Sequence, residues 1–186
     1  YGHPNAGCLA EDHPTNPISS YGISKLSTEK YFHLYRVMHG LDYAVARISN
    51  AYGPWQTGRH GQGLVAIAFL RILAGEVIAI WGNGEQIRDY VYVDDVVTAM
   101  IALAERRDRS EAVYNVGTGQ GHSINQVIAK ISGLVGRKAI VAHRGARSID
   151  IACNVLDITR AGRELGWTPR TSLDPGLEMT YRWLSR

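Results

Sequence analysis

The stretch that decides the fold is Ser19-Ser20-Tyr21-Gly22-Ile23-Ser24-Lys25. Its two serines can cap a helix, and apolar residues then recur at helical spacing as far as Gly40. These signals predict a helix over residues 19–39. Tyr21 and Lys25 stand four positions apart, so they share one face of that helix near its start.

A tyrosine and a lysine in this arrangement can perform acid-base chemistry. A nearby ammonium and the positive end of a helix both favour the phenolate, and both lower a tyrosine pKa that is ordinarily about 10. The alternative is that Tyr21 and Lys25 are solvated residues on a surface helix. The spacing alone does not distinguish the two, so the rest of the chain has to decide.

Outside this stretch, helical and strand patterns alternate, which predicts an α/β fold. The Asn83-Gly84 pair predicts a tight turn that joins two of the strands in a hairpin, and Asp94 or Asp95 is expected to cap the helix that follows. Strands are predicted over residues 43–48, 77–81, 88–93, 113–116 and 139–142. Helices are predicted over residues 64–74, 96–105, 159–165 and 173–184, together with one that Ser123 caps and that ends near Val135.

Composition limits the class of protein. The chain has 186 residues, of which 45% are hydrophobic and 20% charged, as in an ordinary globular domain. No apolar run approaches the roughly 18 residues of a membrane span, and no secretory segment opens the chain. Cys8 and Cys153 lie far apart without CxxC spacing, so we expect neither a disulfide framework nor a thiolate metal site, and a cytoplasmic location.

Charge and histidine content point to a small phosphorylated ligand. The net charge is +3, carried more by arginine than by lysine, without the dense basic runs of nucleic-acid-binding proteins. Guanidinium groups match the geometry of phosphate. The seven histidines are scattered without HxxxH spacing, so no metal site and no nucleic-acid partner are predicted.

Segments in order along nearly the whole chain resemble one family. They are Tyr1-Gly2, Glu11-Asp12, residues 17–25, 47–54 (RISNAYGP), 80–95 (IWGNGEQIRDYVYVDD), 114–119 (YNVGTG) and 165–167. This set resembles the extended short-chain dehydrogenase/reductase family, and within it the NAD-dependent nucleotide-sugar epimerases and dehydratases, with the UDP-glucose 4-epimerases as the nearest group. The resemblance implies NAD as cofactor and a UDP-sugar as substrate.

The implied architecture is the C-terminal part of a Rossmann-type doubly wound sheet with a smaller mixed α/β substrate-binding lobe. Residues 1–55 would end the NAD-binding domain, with 94–107 as a candidate addition, and 56–186 would form the lobe. Because the resemblance puts Tyr1-Gly2 just after a central strand, we expect a longer enzyme, whose phosphate loop and third triad residue precede this chain. We expect this fragment alone to be inactive.

The resemblance also implies roles for individual residues. Tyr21 and Lys25 would be catalytic and, with Ile48, would contact the cofactor. The residues implied to bind substrate are Asn50, Leu64, Trp81, Arg88, Arg147, Asp150 and Asn154. Asn50, Arg88 and Arg147 would bind the phosphates. Trp81 would face the uracil, and Asp150 would accept hydrogen bonds from the ribose.

Each of these roles has a structural alternative. Asn50 could satisfy loop backbone, Trp81 could be a core aromatic, and Arg88 could be a surface residue paired with Asp89. Asn154 occupies a position where the family uses side-chain bulk to exclude N-acetyl sugars. Because asparagine is smaller than the tyrosine often found there, an N-acetylhexosamine could be admitted.

A cofactor loop at residues 117–121 is not predicted. The sequence Gly117-Thr118-Gly119-Gln120-Gly121 has its third glycine one position early for GxGxxG, so it is interpreted as a strand-to-helix turn.

The resemblance leaves several functions open. The first is NAD-dependent interconversion of a UDP-hexose at C4 through a 4-keto intermediate. A nucleotide-sugar 4,6-dehydratase, a decarboxylase or a reductase of the same family would share Tyr21 and Lys25, and a non-catalytic substrate-binding fragment is a further alternative. A homodimer through the Tyr21 helix is also implied, since Tyr31, Phe32, Leu34 and Tyr35 offer it apolar surface.

Overall fold

A computed structural model describes residues 1–2, 7–58, 63–106, 113–146 and 151–186. Its helices are α1 (Ser20–His39), α2 (Leu64–Ala74), α3 (Val93–Glu105), α4 (Ile124–Val135), α5 (Thr159–Leu165) and α6 (Leu173–Leu184). Its strands are β1 (Val45–Ile48), β2 (Asn50–Tyr52), β3 (Val77–Trp81), β4 (Ile87–Tyr92), β5 (Val113–Val116), β6 (Gly121–Ser123), β7 (Ile140–Arg144) and β8 (Cys153–Asn154). The α/β fold class is confirmed.

Most of the strand pairs are parallel, as expected when helices connect the strands. β1 pairs with β5, β2 with β4, β3 with β7 and β4 with β8, all in parallel. β4 and β6 form an antiparallel pair. β5 follows residue 55 in the chain and yet pairs with β1, which precedes it. The proposed division into domains at residue 55 stays a prediction.

The hairpin prediction at Asn83-Gly84 is wrong. β3 pairs along its length with β7, whereas β4 pairs with β2, β6 and β8. The turn itself forms, but its carbonyls bind the start of α4. Asn125 donates from its backbone to the Gly84 carbonyl at 3.1 Å and from its side chain to the Asn83 carbonyl at 2.9 Å. This contact directs the chain away from β3 and into a different ladder.

The helix cap predicted at Asp94 or Asp95 is also wrong. α3 begins at Val93, and Tyr92 occupies the N-cap position without a capping side-chain bond. Asp95 is buried in the first turn, where its carboxylate accepts the backbone N–H groups of Arg170 and Thr171 at 3.0 and 2.9 Å. The carboxylate therefore fixes the segment before α6 instead of capping its own helix.

The hydrophobic core has two parts. The larger lies among α2, α4, α6 and the strands β3 and β4, with Phe69, Ile72 and Ile131 almost fully buried. The smaller joins α3, β5 and α5 through Ala99, Val116, Ala161 and Trp167. No residue of α1 is buried. The helix that carries Tyr21 and Lys25 therefore lies outside both cores.

Candidate active site

Tyr21 and Lys25 lie at the start of α1, where the sequence predicts them. Ser19 is the N-cap, and its Oγ accepts the N–H of Gly22 at 3.1 Å. Tyr21 is 71% exposed, and the Lys25 Nζ lies 5.5 Å from the centroid of the Tyr21 ring. At that distance the ammonium interacts electrostatically with the aromatic ring. The pair is accessible, and its two members are in contact.

A cavity of about 670 Å³ lies between α1 and β1 and reaches the start of β2 and the end of β8. It brings together five of the predicted site residues, namely Tyr21, Lys25, Ile48, Asn50 and Asn154. Ile48 is 43% exposed at the end of β1, so an apolar side chain faces open space there. The cavity therefore combines an exposed apolar side chain with the exposed Tyr21 and Lys25.

Arg88 stands beside Asn154 on neighbouring strands. The parallel register pairs Arg88 with Asn154 and pairs Asn50 with Tyr90, two positions further along β4. Because alternate residues of a strand share a face, this register places Asn50, Arg88 and Asn154 on one side of the sheet. The Asn50 side chain also donates to the Asp89 carbonyl at 3.0 Å, which fixes its amide.

Other predicted site residues are not gathered at this cavity. Leu64 begins α2 and packs against the larger core. Trp81 ends β3, is 40% exposed and has the Arg144 guanidinium 5.4 Å from its ring centroid. Neither lines the cavity within the part of the chain that the structure describes. Arg147 and Asp150 lie outside the described residues.

Asp89 is a buried residue of the site region that the sequence reasoning considered only as a partner for Arg88. Its carboxylate accepts the Thr118 N–H at 2.9 Å, the Thr118 hydroxyl at 2.7 Å and the Gly119 N–H at 3.1 Å. A Cβ at Gly117 would clash with its Oδ2. The turn at residues 117–119 therefore presents its donors to a protein carboxylate. It leads from β5 into the short strand β6 and not into a helix, so the predicted strand-to-helix turn is wrong. The sequence carries one indication of this contact, namely an aspartate next to Arg88 in a strand whose other residues are apolar or aromatic.

Arg47 and Glu29 form a second polar group that sequence reasoning missed. The Arg47 Nε and Nη2 donate to the two Glu29 carboxylate oxygens at 2.9 and 2.7 Å. The Arg47 guanidinium also lies 4.7 Å from the Tyr1 ring centroid. Burial lowers the pKa of Arg47, but its hydrogen bonds to Glu29 and Tyr1 outweigh that effect and the pKa lies above its usual range.

The described residues contain no cluster of three or more histidine, cysteine, aspartate or glutamate side chains placed to hold a metal ion. In that same part of the chain, no helix combines the length and apolar character needed to cross a bilayer.

The chain is similar to known proteins of one family. The model of the NAD dependent epimerase/dehydratase family matches residues 1–117. The putative UDP-glucose 4-epimerase of Methanocaldococcus jannaschii is 34% identical over 99% of this chain and 59% of its own. The UDP-glucose 4-epimerase of Mycolicibacterium smegmatis is 37% identical over 98% of this chain and 58% of its own. The chain thus spans about three fifths of the length of these relatives.

Solved structures show the same fold. The UDP-glucose 4-epimerase of Thermotoga maritima, solved with UDP-glucose, superposes with a TM-score of 0.93 at 38% identity, over 100% of this chain and 59% of its own. The Thermus thermophilus UDP-glucose 4-epimerase, solved with NAD, gives 0.90 at 32% identity, over 100% and 60%. A relative with a different reaction is the dTDP-glucose 4,6-dehydratase of Streptomyces griseus, 32% identical over 98% of this chain and 55% of its own.

Proposed function

The chain belongs to the NAD-dependent epimerase/dehydratase family, and from that membership we propose that it carries the acid-base pair and sugar site of a UDP-hexose 4-epimerase. The observation that carries this proposal is the single cavity shared by Tyr21, Lys25, Asn50 and Asn154. An acid-base pair and amide side chains that can hydrogen-bond a polar ligand therefore face the same space. The UDP-glucose-bound relative of the same fold supports a UDP-sugar as the ligand.

Tyr21 is the proposed acid-base residue. In its phenolate form it would remove the proton from the C4 hydroxyl of the sugar. As the phenol it would return that proton after the 4-keto sugar has rotated to present its other face. The Lys25 ammonium lies 5.5 Å from the centroid of the Tyr21 ring, beside the proposed acid-base residue. Exposure of Tyr21 to the cavity leaves its hydroxyl accessible to a bound sugar.

The residues at the cavity fit a nicotinamide cofactor. Lys25 offers ammonium donors for ribose hydroxyls, and Ile48 presents an exposed apolar surface on which a flat ring can lie. When bound, NAD supplies the hydride acceptor and donor that oxidation and reduction at C4 need. Lys25 and Ile48 are therefore the proposed cofactor contacts of this chain.

The substrate would be anchored at its phosphates. Asn50 and Arg88 share one face of the sheet, and guanidinium and amide donors suit a pyrophosphate. Arg147, Asp150 and Trp81 remain proposed contacts to the pyrophosphate, ribose and base, and Leu64 to the substrate. Asn154 lines the cavity, where its modest size would admit an N-acetyl group. Such an anchor would hold the nucleotide while the hexose turns.

We also propose a cytoplasmic homodimer that associates through α1. The helix exposes an apolar surface that the described part of the chain leaves uncovered. Its exposed large side chains that do not line the cavity are Ile23, Tyr31, Leu34, Tyr35, Val37 and Met38. A second copy of the same helix could cover this surface, because two-fold interfaces pair identical patches.

Product identification would test this function against its alternatives. The protein, expressed from its complete coding sequence, is incubated with NAD and UDP-galactose, and the products are followed by proton NMR. An epimerase forms UDP-glucose, and the reaction started from UDP-glucose reaches the same mixture of the two UDP-sugars. A 4-keto-6-deoxy product would instead indicate a dehydratase. In a parallel incubation with UDP-glucuronate, loss of CO2 would indicate a decarboxylase. Binding of UDP without any product, with wild-type protein and excess NAD, would support a non-catalytic substrate-binding chain.

A further inference from the structure

We infer that Glu29, held by Arg47, is a positioning residue that sets where α1 presents Tyr21 and Lys25 to the cavity. The inference rests on the acid-base role proposed for that pair. Tyr21, Lys25 and Glu29 are spaced by four residues, so they form one stripe along the helix. At about 1.5 Å per residue, Glu29 lies roughly 6 Å along the axis from Lys25.

α1 also meets the segment before β1 through contacts with the Tyr43 ring. None of its residues is buried, and most of its apolar side chains are exposed. A stacked contact between Phe32 and Tyr43, with ring centroids 5.6 Å apart, joins its middle to the segment before β1. The Arg36 guanidinium lies 6.0 Å from the centroid of the same Tyr43 ring. A directional bond defines the position of the helix along its axis, and its rotation, more closely than ring contacts do.

The Arg47–Glu29 pair provides such a bond. Both carboxylate oxygens of Glu29 accept from the Arg47 fork at 2.9 and 2.7 Å, and both side chains are only 16–17% exposed. Two parallel hydrogen bonds restrict orientation as well as distance. Arg47 lies in β1, and both members of the pair line the same cavity as Tyr21 and Lys25. The pair therefore joins α1 directly to the strand that faces it across the cavity.

Arg47 is itself held in place from other directions. Its Nη1 donates to the Glu11 carbonyl at 3.1 Å, and its guanidinium faces the Tyr1 ring. The Tyr1 hydroxyl donates to Asn115, a fully buried residue of β5. The buried core of the sheet is thus connected through Arg47 to Glu29, so the position of the strands is transmitted to α1.

The test compares Glu29→Gln with Glu29→Asp and with Glu178→Gln as the matched control. Glu178 makes an exposed ion pair with Arg182 on α6, far from the acid-base pair in sequence. In protein made from the complete coding sequence, we expect Glu29→Gln to lower kcat about 10- to 100-fold, because small misplacements of reacting groups are that costly. The KM for UDP-galactose should change less than about twofold, since the substrate anchors are on other elements.

Amide hydrogen exchange of residues 20–39 is the second readout and does not require turnover. Glu29→Gln should raise exchange in α1 alone. Glu29→Asp should restore part of kcat and part of the exchange protection, and Glu178→Gln should match wild type in both. Wild-type kcat and wild-type exchange in Glu29→Gln would overturn the inference. So would a loss of exchange protection that is equally large throughout the chain. If Glu29→Gln does not fold, Glu29→Asp is compared with the control instead. If wild-type protein shows no epimerisation, the proposed function fails, while exchange still decides the role of Glu29.

Discussion

Replacing Asp89 by asparagine would test the polar contact that joins β4 to the turn after β5. The carboxylate is fully buried and accepts from the backbone and hydroxyl of Thr118 and from the backbone of Gly119. Hydrogen bonds to a charged acceptor each contribute about 1.5–3 kcal/mol. Asparagine keeps the volume but places an NH2 donor against one of these donors. We therefore expect a loss of about 3–5 kcal/mol in the free energy of unfolding.

Urea denaturation followed by circular dichroism would measure this loss. With a slope of about 2 kcal/mol per molar urea, the midpoint should fall by about 2 M. Asp94→Asn is the control, because Asp94 is exposed in the first turn of α3 and its removal should cost less than about 1 kcal/mol. An Asp89→Asn midpoint equal to that of wild type would refute the reasoning, since it would mean that a buried carboxylate with three short donor contacts adds no stability.

Three further changes have defined outcomes. Arg88→Ala should weaken UDP binding about 10- to 100-fold by calorimetry, through loss of a charge-assisted contact, and unchanged affinity would remove Arg88 from the phosphate site. Asn154→Tyr should reduce turnover of UDP-N-acetylgalactosamine more than that of UDP-galactose in paired assays, whereas equal effects would argue against a role at C2. Burial raises the pKa of Tyr90 to about 12, so its neutral phenol stabilises the fold fully below about pH 10 and loses that contribution as the pH rises through 12. Tyr90→Phe should lose stability less steeply than wild type in alkaline urea titrations, and identical slopes would contradict this.

The sequence predicts well those features that local chemistry decides. Four helices end at glycines that adopt the left-handed conformation, namely Gly40, Gly75, Gly136 and Gly166. Ser123 caps α4 in a capping box with Gln126. The sequence also predicts the limits of α2, α5 and α6 to the residue. Each of these signals acts over a few neighbouring residues, so it can be read without knowing what packs against the helix.

Features that depend on distant partners were missed. The turn at Asn83-Gly84 has hairpin composition, yet its exit is set by Asn125, 41 residues after Gly84. Asp95 looks like a helix cap, but its partners are 75 and 76 residues away. β2, β6 and β8 are two or three residues long, too short for any alternation to be visible.

In the site too, features that neighbouring residues decide are predicted, and features that depend on distant partners are not. Spacing placed Tyr21 and Lys25 correctly at the start of α1 and close to each other. The contact of Glu29 with Arg47 crosses 18 positions and joins a helix to a strand, so no periodic pattern reveals it. Likewise, Arg88 and Asn154 become neighbours only through the parallel register of β4 and β8. Residues that position the pair are thus harder to predict than the pair itself.

The most direct test of the central claim compares wild type with Tyr21→Phe, both expressed from the complete coding sequence and assayed with NAD and UDP-galactose. The phenylalanine keeps the ring near Lys25 but removes the hydroxyl that would carry the proton. We predict that wild type forms UDP-glucose, and that Tyr21→Phe lowers kcat at least about 100-fold with UDP affinity unchanged. Epimerisation by Tyr21→Phe at the wild-type rate would contradict the assignment of the acid-base residue.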